Sequence, residues 1–150
     1  MNYTQWKQKN QLGTPKDYLA ACKQNGWAID VQGADLWGAD LRGVDLQGAG
    51  LRYANLWNAK MRDANLQGAD LGYANLWHAN MRDANLGRAD LRYANMQNAN
   101  MQNANMRGAY LWWANLRDAN LWDVTMNWKS HELIGERLRQ AADNCQRMAL

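Results

Sequence analysis

Between Ile29 and Trp128 the apolar positions recur every five residues without a break. Ala34-Asp35-Leu36-Trp37-Gly38 is followed by Ala39-Asp40-Leu41-Arg42-Gly43, and the pattern runs through twenty units. The first position is Ala in seventeen units, with Ile29, Val44 and Val124 as exceptions. The third position, the centre of each unit, is Leu or Met everywhere except Val31, and the second is Asn in ten units and Asp in six. Repetition of this kind takes precedence over propensities read residue by residue.

Period five excludes both regular elements. In an α-helix five residues advance by about 500°, so successive centres would lie about 140° apart and spiral round the axis. Asn, Asp and Gly would also lower helix propensity throughout. In a continuous strand an odd period sends successive centres to opposite faces. What remains is a short extended piece with a turn in every unit. Positions one and three lie two apart and point inward together. The other three face outward, where Gly, Asn and Asp supply turn conformations.

A second period sets the length of a coil. Residues 51–70, LRYANLWNAKMRDANLQGAD, recur as LGYANLWHANMRDANLGRAD at 71–90, with fifteen identities in twenty. Residues 91–110 continue the pattern more loosely. Four units per coil give a square cross-section. At the usual inter-strand spacing of about 4.8 Å, five coils make a column roughly 24 Å long, each coil bonding to its neighbours as stacked repeats do.

The tandem A(D/N)LXX motif over 29–128 resembles the pentapeptide-repeat proteins. The resemblance implies an all-β solenoid, a right-handed quadrilateral β-helix; the handedness comes from the family and not from the spacing. Many members place Phe at some centres, whereas this chain has no Phe. Its interior is therefore expected to be a uniform ladder of Leu and Met over Ala, with no room for a cofactor.

An open stack exposes unpaired backbone edges at both ends, and the flanks suit short capping α-helices. Residues 1–28 form an N-terminal capping segment with a helix over about 15–25. Thr14 is its N-cap, Pro15 lies in the first turn and Asn25-Gly26 is the stop. Residues 129–150 are expected to form a C-terminal helix capped by Ser130. Leu133, Ile134, Leu138, Ala141, Ala142, Cys145 and Met148 recur there at helical spacing. Both helices are read as lids; the alternative is a homodimer through the C-terminal helix, as occurs in some relatives. Trp27 and Trp128 are placed at the two junctions.

Units twenty apart stack, so outward positions form columns. One runs Trp37, Trp57, Trp77 and then Gln97 and Arg117; another runs Tyr53, Tyr73, Tyr93 and Trp113; a third runs Arg42, Arg62, Arg82. The Trp and Tyr columns are expected to flank one corner of the tower. They are read either as coil-to-coil stacking, about 0.5–1.5 kcal/mol per pair, or as an aromatic strip for a partner surface, a sugar or exposed bases. The Arg column is either a solvated mosaic with Asp40, Asp63 and Asp83 or an anion-binding rail. Asn55, Asn75, Asn95 and Asn115 are expected to form amide ladders or to bond turn backbone.

Composition changes this picture little. The chain has 150 residues and net charge +3, while 29–128 holds nine Lys/Arg against ten Asp/Glu. A DNA-mimicking modulator of gyrase or topoisomerase, a role known in the family, should be strongly acidic, so this alternative is disfavoured. Two cysteines, Cys22 and Cys145, suggest a reducing, cytoplasmic location. The N-terminus lacks an apolar core for a signal peptide, and no apolar run is long enough for a membrane span. His78 and His131 form no metal-ligand spacing, and no phosphate-binding loop is found. The expected function is thus a non-catalytic scaffold, without metal, cofactor or small-molecule substrate. It presents Trp37, Trp57, Trp77, Tyr53, Tyr73, Tyr93, Arg42, Arg62 and Arg82 to a macromolecule, most readily a protein. Weak aromatic-strip binding of nucleic acid or polysaccharide is the other alternative.

Overall fold

The computed structural model describes residues 1–10 and 13–126. Parallel bridges join residues twenty apart, from Asp30 and Gly50 at one end to Asn105 and Thr125 at the other. Every bridge falls at the second residue of its unit, so each unit contributes one rung rather than a long strand. The rung is made by backbone bonds on both sides: Leu51 N–H donates to Asp70 O at 2.7 Å, while Asn55 N–H donates to Ala34 O at 2.9 Å.

The corner follows from the last two residues of the unit. Ala54 N–H donates back to Leu51 O at 3.1 Å, closing a four-residue turn around Arg52 and Tyr53. The fifth residue of every unit from Gly33 to Asp123 has φ between 55° and 70°. A positive φ at the third turn residue is the type II signature. Gly, Asn and Asp adopt it readily, which accounts for much of the fifth-position composition.

The interior follows from the first and third residues. Leu51, Leu56, Met61, Leu66, Leu71, Leu76, Met81, Leu86, Leu91, Met96 and Met101 are fully buried, and the alanines between them are buried with them. Ala at position one leaves space for the large centre of each unit, so four centres fill one coil and stack on four more.

Two helices precede the repeat. Helix α1, Tyr3–Lys9, begins at a reciprocal capping box between Asn2 and Gln5. Helix α2, Pro15–Asn25, begins at the Thr14/Asp17 capping box and ends at Gly26 with φ 64°. The sequence pattern predicts no element ahead of Thr14; α1 is an addition, too short for a helical period to register. It buries Tyr3 and Trp6 beside Tyr18 of α2, with ring centroids 5.4 Å apart for Tyr3–Tyr18 and 5.7 Å for Trp6–Tyr18. The pair is tied to the first coil. Tyr3 N–H donates to Asp30 O at 2.8 Å, and the Tyr18 hydroxyl shares its proton between Met1 O at 3.1 Å and Asp30 O at 3.2 Å. Trp27 is half-buried against the core and Cys22 is buried with a free thiol. The helix expected from Ser130 to Met148, the Trp128 junction, His131 and Cys145 lie outside the described residues.

Candidate interaction faces

Side chains alternate along an extended segment, so the outward residues of one face are the fifth residue of the preceding unit, then the second and the fourth of its own. The second face therefore carries Tyr53, Asn55 and Trp57 in one coil and Tyr73, Asn75 and Trp77 in the next. Tyr53 and Trp57 belong to consecutive turns. The two aromatic columns thus border one face, with the Asn ladder between them, rather than flanking one corner as the sequence pattern predicts. The reason is that fourth and fifth positions of different units fall on either side of a rung.

The rings stack on each other. Tyr53 and Tyr73 lie 5.1 Å apart at 21°, Tyr73 and Tyr93 4.7 Å apart at 6°. Trp57 and Trp77 lie 5.3 Å apart at 13°, whereas Trp37 is tilted by 59° on Trp57 at 6.1 Å. Exposure falls along the Trp column from 60% at Trp37 to 38% at Trp57, and Trp77 is half-buried. The inner rings therefore present edges outward and spend their faces on each other. Arg52 lies over both Tyr53 and Tyr73, 5.3 and 5.4 Å from their centroids.

Between the columns Asn75 Nδ2 donates to Asn55 Oδ1 at 3.2 Å, and Asn115 Nδ2 to Asn95 Oδ1 at 3.2 Å. The same oxygens accept the backbone N–H two residues on, as in Trp77 N–H to Asn75 Oδ1 at 3.3 Å. Both expected roles of the Asn column are realised at once, and both lone pairs of the oxygen are used.

The Arg column of the third face is paired with acids. Arg42 forks onto Asp40, Nε to Oδ1 at 2.8 Å and Nη2 to Oδ2 at 2.7 Å. That guanidinium, by hydrogen bond before charge, holds the Asp40 carboxyl well below the usual carboxylate range. Arg62 reaches Asp63 at 3.3 Å and, one coil on, Asp83 at 3.6 Å, while Arg82 meets Asp83 at 3.2 Å. These guanidiniums are partnered within the protein. On the first face Arg92 likewise pairs with Asp90, whose carboxyl it holds low. Arg88 and Arg107 form no ion pair with the described residues; nothing in the sequence pattern singles them out, because they stand in mixed columns.

Among the described residues no helix is long and apolar enough to cross a membrane, and no group of His, Cys, Asp and Glu is arranged to hold a metal.

The family model "Pentapeptide repeats" matches the chain in eight copies over residues 30–68, 59–92 and 84–123. Comparison with curated proteins gives no match. Among solved structures, HetL, a pentapeptide repeat protein involved in heterocyst differentiation regulation from Nostoc sp. strain PCC 7120, is 35% identical with a TM-score of 0.54. The match covers 69% of this chain and 52% of HetL, so the chain spans about half of HetL's length. A pentapeptide repeat protein of the Arabidopsis thaliana thylakoid lumen is 28% identical with a TM-score of 0.53, covering 71% of this chain and 77% of that one. A further Nostoc pentapeptide repeat protein is 34% identical with a TM-score of 0.51, covering 76% of each chain.

Proposed function

Because the chain belongs to the pentapeptide-repeat family, whose fold is the right-handed quadrilateral β-helix and whose members are generally non-enzymatic structural repeat proteins, we propose that it is a non-catalytic scaffold that docks a protein partner on its second face. The observation that carries this reading is the uncharged centre of that face: a ladder of Asn55, Asn75 and Asn95 framed by stacked Tyr and Trp edges. Edges of Tyr and Trp are amphipathic contact surface held at low entropic cost, the composition favoured at the centre of protein interfaces. HetL is involved in heterocyst differentiation regulation, and a regulatory role exercised by surface contact is the one we extend to this chain. A sugar or a row of bases is a poorer occupant here, since the faces of the inner rings are already covered by one another.

The test compares two surface variants as bait against extract of the source organism. Trp57→Gln with Tyr73→Ser should lose the captured partner, whereas Gln47→Ser with Gln67→Ser on the fourth face should keep it. Equal capture by both, with unchanged thermal midpoints, would remove the second face from the reading.

A further inference from the structure

The last described coil differs from those beneath it. On the first face its outward row is Gly108, Tyr110 and Trp112, followed at the corner by Trp113. Tyr110 is 53% exposed, Trp112 52% and Trp113 74%. Whereas Tyr53, Tyr73 and Tyr93 lie on one another, these three rings form no ring contact with the described residues, and no described ring covers their faces. Tyr110 and Trp112 project from the same face two residues apart, about 6.6 Å along an extended backbone. That is close to two stacking steps of about 3.4 Å, the gap that one flat base fills.

The charge beside this row is also unlike the rest of the tower. Arg88 and Arg107 are joined through their backbones, Arg88 N–H donating to Arg107 O at 2.9 Å. The Arg88 stem passes within 3.5 Å of the place a Cβ on Gly108 would take. Below Tyr110, Asp90 is neutralised by Arg92, and past Trp113 Arg117 is paired with Asp118. Among the described residues the two unpaired guanidiniums therefore set the local sign. Arg88 and Trp113 both hold positive φ, 59° and 61°, a conformation that costs a long or bulky L-residue about 1–2 kcal/mol. The turns that hold them are closed as in the other units, Ala89 N–H donating to Leu86 O at 3.1 Å and Ala114 N–H to Leu111 O at 3.0 Å.

We propose that Tyr110, Trp112 and Trp113, with Arg88 and Arg107, form a short binding site for single-stranded nucleic acid. Bases stack on the open rings and phosphates take the two guanidiniums. Aromatic platforms beside basic side chains bind single strands with little sequence preference, and three exposed rings suit two or three nucleotides. A duplex offers them no exposed base. The site lies on the first face and meets the second only at Trp113, the last member of the Tyr column; Trp112→Ala, on the first face alone, distinguishes its loss from the loss of a protein docked on the second.

Fluorescence anisotropy with labelled twelve-residue oligothymidylate and oligouridylate, and with a twelve-base-pair duplex, tests this on the whole chain. Single strands should bind more tightly than the duplex, and the stronger of the two oligomers identifies the strand that is read. Two phosphate contacts give a slope of about −1.4 in log affinity against log salt. Trp112→Ala with Trp113→Ala should weaken binding about tenfold or more, and Arg88→Gln with Arg107→Gln should flatten the salt slope; Trp37→Gln should change neither. No binding at protein concentrations of about 100 μM, the weak end of non-specific affinity, overturns the proposal. So does equal affinity for duplex, or binding that survives both pairs of substitutions.

Discussion

At the scale of single residues, each position in a unit answers to one physical demand. The centre must fill a quarter of the coil. Leu71 is fully buried, and Leu71→Ala should cost about 2–5 kcal/mol, read as a lower urea midpoint. A loss below about 1 kcal/mol would mean that the coil collapses round the gap. The fifth position must accept positive φ. Gly68 has φ 66° with open space where a Cβ would stand, so Gly68→Val should be destabilising through the backbone alone by about 1–2 kcal/mol. The reverse change at Asn98, with φ 56°, should be neutral or slightly stabilising as Gly. If Val were tolerated at 68, the turn would not be of the kind described. Composition foretells this position where it is Gly, Asn or Asp. The Tyr and Trp that occupy it are visible as columns, but their use of ring faces is not, because stacking depends on turn angles that no spacing encodes.

At the scale of elements, the rung and the two N-terminal helices obey different rules. A rung is specified by arithmetic: its partner lies twenty residues away, and the sequence displays that number. The pairing of Arg62 with Asp83 is legible once the number is known; the single-coil view shows only Asp63. Helix α1 carries just one local signal, Asn2 with Gln5 three residues later, and its purpose emerges only when Trp6 is seen against Tyr18. Burial first, then the contact with Cys22, pushes the Tyr18 hydroxyl up to about 12 from an ordinary value of 10.0. Because the folded value is the higher, the stabilisation is complete below about pH 10 and is lost as pH rises from there through about 12. Tyr3 is shifted in the same sense, mainly by burial. An alkaline titration followed by Trp fluorescence should therefore show the N-terminal helices loosening in that window, and Tyr18→Phe should move the transition upward. An unchanged transition would mean that lysine titration elsewhere dominates.

At the scale of the whole molecule, the coil length governs everything outward. Removing residues 71–90 takes out one lap and leaves every column in register, so the shortened protein should fold with an undiminished aromatic circular dichroism signal per ring pair and a smaller denaturant slope. Removing residues 71–75 alone keeps the local pattern but turns all later faces by one corner, placing Trp77 over Arg52, His78 over Tyr53 and Asp83 away from Arg62. The stacking signal should then fall although the core survives. Identical spectra for the two deletions would deny the twenty-residue lap. Since the interior takes only first and third residues, a residue's number divided by twenty leaves a remainder that says where on the rod it stands. The exterior can thus be rewritten like type set in a fixed frame, with one line altered and the lines around it unmoved.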